Sequence, residues 1–210
     1  MKTTAVIFDV FGTVISIEDR RNPHLQLLRL GRDHGRRPRP GDVQMVMTNE
    51  LGWEELARCL DIRVSHDQLQ HLAEELETEL SSLKVYPDAA KAVSLLQSAG
   101  VKVGLCSNLA SGYGPAVRKL LPALDGYGFS YEIGAMKPNP VIYHSVCRDL
   151  GVQPGQQLLG NRVVMIGDSI KCDRAGARAA GIAGFHLVRS GEGDFKNLVD
   201  FADCVLGELA

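Results

Sequence analysis

Val6-Ile7-Phe8-Asp9-Val10-Phe11-Gly12-Thr13 sets a short apolar run directly against a carboxylate and a Gly-Thr turn. The arrangement recurs twice. Val103-Gly104-Leu105-Cys106 runs into Ser107-Asn108, and Val163-Val164-Met165-Ile166 runs into Gly167-Asp168-Ser169-Ile170-Lys171-Cys172-Asp173, with Lys137 between these two stretches. Such runs read as parallel strands buried on both faces. In an open parallel sheet, ligands collect at the carboxyl ends of the strands. The spacing therefore predicts that a carboxylate, a hydroxyl, an amine and two further carboxylates converge in one crevice.

Outward from these runs, strand and helix signals alternate after residue 85. Ala89 to Ser98 has helical spacing, with Gly100 beyond its end as a cap. A strand follows, then a helix from about Gly114 to Leu121 and a weak strand around Gly128 to Tyr131. Pro140 to Leu150 and Asp173 to Ala180 read as helices, and Ile182 to Val188 as a strand. This alternation predicts an α/β fold with a doubly wound parallel sheet. From about Ser16 to Val85 the rhythm breaks: no strand is expected, and apolar positions in His24–Leu30, Val43–Leu60 and Gln68–Leu83 recur at helical spacing. The expected division is a core of residues 1–15 and 86–210 with a helical insert over 16–85.

The chain has 210 residues, 45% of them hydrophobic, enough to bury a full core. A formal net charge of −2 gives no broad basic field, so nucleic acid is not an expected partner. No run of about 18 apolar residues predicts a membrane span, and a first strand within a few residues of Met1 leaves no room for a signal peptide. A cytoplasmic location is expected. Cys59, Cys106, Cys147, Cys172 and Cys204 are scattered and read as reduced thiols.

Read residue by residue, several roles stay open. Asp9 suits a turn cap or a nucleophile that attacks phosphorus or an electrophilic carbon. Gly12 lets the backbone turn close to a ligand, and Thr13 offers a hydroxyl to an anion. Ser107 and Asn108 suit substrate hydrogen bonds or local turns. Lys137 precedes Pro138, which disfavours helix at the lysine. Asp168 and Asp173 suit a hard cation, or for Asp173 a helix N-terminus.

Together, the four motifs resemble those of the haloacid dehalogenase-like (HAD) hydrolase superfamily, in the same order and over nearly the whole chain. The resemblance implies that Asp9 is a covalent nucleophile, that Lys137 neutralises it and the substrate anion, and that Gly12, Thr13, Ser107 and Asn108 meet the substrate. It implies Mg²⁺ held by Asp9, the backbone carbonyl of Phe11 and Asp168, with Asp173 orienting Lys137 or a water of the metal shell. It also implies that the insert caps the site. One position departs from the pattern. Most phosphatases of the superfamily carry a second Asp two residues after the nucleophile as general acid, where this chain has Phe11. General acid catalysis is worth roughly 10²–10⁴-fold. The 2-haloacid dehalogenases carry an aromatic residue there, because a departing halide needs no proton, but they usually lack a carboxylate at the position of Asp168. The expectation is a Mg²⁺-dependent hydrolase of a small anionic phosphorylated substrate; a metal-independent dehalogenase and a non-catalytic binding protein are the alternatives.

Within the insert, Arg36, Arg37 and Arg39 lie in the Gly- and Pro-rich stretch 35–41, which excludes regular helix; one of them reaching the site is a minority expectation. Gly52-Trp53 resembles the specificity loop of helical caps. His66 and His71 read as surface residues. Lys84, the only lysine of the insert, lies at its edge, which argues against relatives that need a Schiff-base lysine from the cap.

Overall fold

Strand β1 (Lys2–Phe8) lies at the centre of a five-stranded parallel sheet in the computed structural model, which describes residues 2–155 and 161–207. Its neighbours are β4 (Lys102–Ser107) and β6 (Asn161–Gly167), and β5 (Gly126–Phe129) and β7 (Ala183–His186) form the edges, in the order β5-β4-β1-β6-β7.

The period of two along β1 explains the unbroken apolar run. Val6 and Phe8 pack on one face with Leu96 of α5 (Pro87–Ser98) and Phe201 of α10 (Leu198–Gly207). The Phe8 and Phe201 rings meet edge to face at 6.0 Å. Ala5 and Ile7 point the other way, into a second core with Ile142, Tyr143 and Val146 of α8 (Pro140–Asp149). Both faces are dry, so alternation disappears from the sequence. Phe8 pairs with Leu105 on one side and Ile166 on the other, which brings the ends of β1, β4 and β6 level.

The chain leaves and re-enters this core through an antiparallel pair, β2 (Ile15–Ile17) and β3 (Leu83–Val85), with Ser16 opposite Lys84. These strands correct the expectation that residues 16–85 hold none. Each has three residues, too few to express a period, and Leu83 continues the helical spacing of the helix before it. Between them lie α1 (Pro23–Asp33), α2 (Asp42–Met47), α3 (Trp53–Cys59) and α4 (His66–Ser81). A capping box starts α4: Ser65 Oγ accepts from the Gln68 N–H, and the Gln68 side chain accepts from the Ser65 N–H. Helix α4 packs against both α1 and α3.

Three further boundaries differ from expectation. The weak strand ends at Phe129, and Ser130 opens the short helix α7 (Ser130–Ile133), after α6 (Gly114–Leu120). The Ser130 hydroxyl explains the break: it accepts from the Leu109 N–H at 2.8 Å and donates to the Met47 carbonyl at 2.6 Å, tying the sheet edge to α2. The helix expected from Asp173 starts earlier, as a wide π-type turn over Ile170–Gly176 that runs into α9 (Ala177–Ala179). Ser169 caps that turn by accepting from the Cys172 N–H. The final strand is shorter than expected, Ala183–His186. No helix among the described residues is long and apolar enough to cross a membrane.

Candidate active site

Asp9 sits just past β1, anchored by its N–H to the Ile166 carbonyl at 3.0 Å. Its carboxylate is buried and held from two sides: Lys137 Nζ donates to Oδ1 at 2.7 Å, and Thr13 Oγ1 donates to Oδ2 at 3.3 Å. Thr13 is fully buried. Its hydroxyl is turned to the nucleophile position.

Lys137 is the hub. Its ammonium has three protons, and all three are used: on Asp9 Oδ1, on Asp173 Oδ1 at 2.6 Å and on the Cys106 carbonyl at 2.8 Å. Burial pushes the Lys137 pKa down, but the two carboxylates outweigh burial and hold it well above the ordinary lysine range. Its backbone is clamped as well. The Lys137 N–H donates to Asn108 Oδ1 at 2.7 Å, and Asn108 Nδ2 donates to the Lys137 carbonyl at 3.1 Å. The Asn108 amide thus places the lysine, and Asn108 also lines the cavity beside Phe11. Ser107 ends β4 and is buried beside it.

Asp173 is fully buried, with Oδ2 accepting the Ser169 N–H at 2.9 Å. Burial raises its pKa, Lys137 pulls it down and Asp9 raises it again, leaving it at about 6. Asp168 keeps surface exposure, and its pKa is raised by burial and then by the Asp9 charge. Asp9, Asp168 and Asp173 each present an oxygen within 4.8 Å of the others. Two glycines permit this crowding. A Cβ on Gly12, which has φ of +80°, would lie 2.3 Å from Asp168 Oδ2, and one on Gly167 would lie 2.3 Å from Asp173 Oδ2 and 2.7 Å from the Asp9 Cβ.

Phe11 packs edge to face on Tyr113, ring centroids 5.5 Å apart, and lines a cavity of ≈ 250 Å³ between the sheet end and the helical segment. Arg20, His24, Glu79 and Tyr113 share that lining, and pattern reading had singled out none of them. His24 and Glu79 fall on the periodic faces of α1 and α4, where they look like ordinary helix positions. Arg36, Arg37 and Arg39 do not line it. Arg36 forms a two-pronged ion pair with Asp42 at 2.6 and 2.7 Å, and Arg39 pairs with Asp61 at 3.1 Å, in a separate surface cavity. Trp53 packs on His24, centroids 4.6 Å apart. His66 and His71 are exposed on α4, and Lys84 is an exposed partner of Glu18 at 3.3 Å.

Comparisons with known proteins identify relatives of this chain. The chain is 31% identical over 128 residues to a glyceraldehyde 3-phosphate phosphatase of Methanopyrus kandleri, a match over 58% of this chain but only half (50%) of that protein's length. It is 31% identical over 192 residues to a phosphoglycolate phosphatase of Rhodospirillum rubrum, covering 85% of this chain and 76% of the relative. Its fold is similar to the crystal structure of a HAD phosphatase from Thermococcus onnurineus, with a TM-score of 0.64, 24% identity and 98% of each chain covered. The model of the haloacid dehalogenase-like hydrolases matches residues 3–181. The chain belongs to that hydrolase family.

Proposed function

We propose that this hydrolase is a Mg²⁺-dependent phosphohydrolase of small phosphorylated molecules, with Asp9 as its covalent nucleophile. The observation that carries the reading is the buried Asp9–Lys137–Asp173 pairing beside an exposed Asp168 carboxylate. Halide displacement has no use for that fourth charge. The phosphatases named among the relatives support the same chemistry.

The donor set suits a hard cation. Asp9 and Asp168, with Asp173 close by, bring carboxylate oxygens within 4.8 Å of one another; the family pattern assigns Mg²⁺ to Asp9, Asp168 and the backbone carbonyl of Phe11, with Asp173 engaged by Lys137 and the Ser169 N–H. Burial, and after it the Asp9 charge, raises the Asp168 pKa, and a cation between the two carboxylates would relieve both effects. When bound, Mg²⁺ supplies positive charge to the phosphoryl oxygens. Lys137 fixes one Asp9 oxygen and places a positive charge beside it, while Thr13 fixes the other. The Asp9 oxygen forms a bond to phosphorus as the ester P–O bond breaks, and water then hydrolyses the acyl phosphate. Residues 16–85 act as a cap over the core of 1–15 and 86–210, with α2 tied to the sheet edge by the Ser130–Met47 bond.

A second reading, the 2-haloacid dehalogenase, is favoured by Phe11, whose ring donates no proton. Under the phosphohydrolase reading that ring has a measurable consequence. Turnover depends steeply on leaving-group acidity: p-nitrophenyl phosphate, whose p-nitrophenolate departs unprotonated, is hydrolysed roughly 10²-fold or more faster than simple alkyl phosphates. Phe11→Asp narrows the gap by accelerating the alkyl esters. Equal rates across leaving groups in the unmodified enzyme would show that another residue supplies the proton.

A further inference from the structure

We infer that the cavity over Phe11 reads a carboxylate and a hydroxyl through Arg20 and His24, so that the substrate's leaving portion is a short hydroxy acid. The inference rests on the phosphohydrolase reading for its place in catalysis, but its binding chemistry stands on the cavity alone.

Glu79 builds the site. It is buried, with Oε2 accepting the Arg21 and Asn22 N–H groups, both at 2.6 Å, and Oε1 accepting the Tyr113 hydroxyl at 3.0 Å. These bonds pin Asn22 in a left-handed conformation, φ 55°, immediately before α1. Arg20 and His24 are therefore presented on either side of a fixed turn. The Glu79 charge is spread over three donors and needs no further partner.

His24 meets two rings at a tilt, Trp53 at 4.6 Å and Tyr113 at 5.9 Å between centroids. Neither of its ring nitrogens bonds a protein group among the described residues. Burial pushes its pKa down to about 4, although the Glu79 charge pulls upward. At neutral pH it offers one N–H donor and one bare nitrogen to the cavity, the complement of a hydroxyl. Arg20 lines the rim, exposed and without a carboxylate partner among the described residues, whereas the adjacent Arg21 is taken by Asp19 at 2.7 Å and Glu75 at 3.8 Å. A guanidinium fork suits a carboxylate. The volume of ≈ 250 Å³ has room for a small acid of a few carbons with its oxygens. Unpaired polar groups in such a cavity discriminate against ligands that cannot satisfy them.

Trp53, the only tryptophan, lies against His24 and reports on the cavity directly. Titrating the full chain with glycerate should change Trp53 fluorescence saturably, while glycerol, the same skeleton without the carboxylate, gives no saturable change. Arg20→Gln should weaken glycerate by roughly tenfold or more, with Arg20→Lys intermediate, and His24→Leu should weaken it as well. In turnover, the kcat/KM preference for 3-phosphoglycerate over glycerol phosphate should collapse in Arg20→Gln. Equal responses to glycerate and glycerol, or an unchanged preference in Arg20→Gln, would overturn the inference. Glycerate binding through Arg20 in an enzyme that releases no phosphate would preserve the pocket and refute the phosphohydrolase reading instead.

Discussion

Asp9→Asn is expected to abolish turnover by more than about 10³-fold while the chain still folds, because the substitution removes the nucleophile and little else. The amide keeps the shape of the carboxylate. Its oxygen can accept from Lys137 Nζ where Asp9 Oδ1 now accepts at 2.7 Å, and the Thr13 hydroxyl can rotate to accept from the new N–H where it now donates at 3.3 Å. Loss of the Asp9 charge also relieves its repulsion of Asp168 and Asp173. Far-ultraviolet circular dichroism and thermal unfolding should therefore stay close to the parent while phosphate release disappears. Substantial activity in a folded Asp9→Asn protein would refute nucleophilic catalysis at this position.

Lys137→Met is the variant with the largest expected effect on stability. Methionine fills similar space but leaves Asp9 and Asp173 buried, close together and without their shared cation. Breaking a buried ion pair from one side costs about 3–5 kcal/mol. For a domain of this size that corresponds to a fall in Tm of roughly 6–20 °C. Activity should vanish as well, since the Asp9 carboxylate loses the cation that orients it. Combining Lys137→Met with Asp173→Asn removes one of the stranded charges and should recover part of the lost stability. A single variant as stable as the parent, or a double variant that is no better than Lys137→Met, would show that the three groups are not coupled.

The parts of this molecule that were legible from sequence are those governed by local chemistry. The apolar runs before Asp9, Ser107 and Gly167 are dry on both faces and became β1, β4 and β6, and their register put Asp9, Lys137, Asp168 and Asp173 together. Helices α5 and α8 followed from period and caps to within two residues. What stayed hidden depends on partners far away in the chain. Thr13 and Asn108 carry the residue types of substrate ligands, and only the packed structure shows that their polar groups also bond Asp9 and the Lys137 backbone. Glu79 reads as one more acidic residue on a helix, yet its three bonds join α4 to the turn before α1 and to Tyr113. The Arg-rich stretch 35–41 drew attention by composition, and Asp42 and Asp61 claim Arg36 and Arg39 locally.

Phosphohydrolase and dehalogenase chemistry diverge on one question, whether the Asp168 carboxylate serves a metal. The most direct measurement is a side-by-side assay of the purified enzyme for phosphate release from p-nitrophenyl phosphate and halide release from 2-chloropropionate, each with and without chelator and with added Mg²⁺. Phosphate release that stops on chelation and returns with Mg²⁺, with no halide released, is the predicted result. Halide release indifferent to chelator, without phosphate release under any condition, would contradict it.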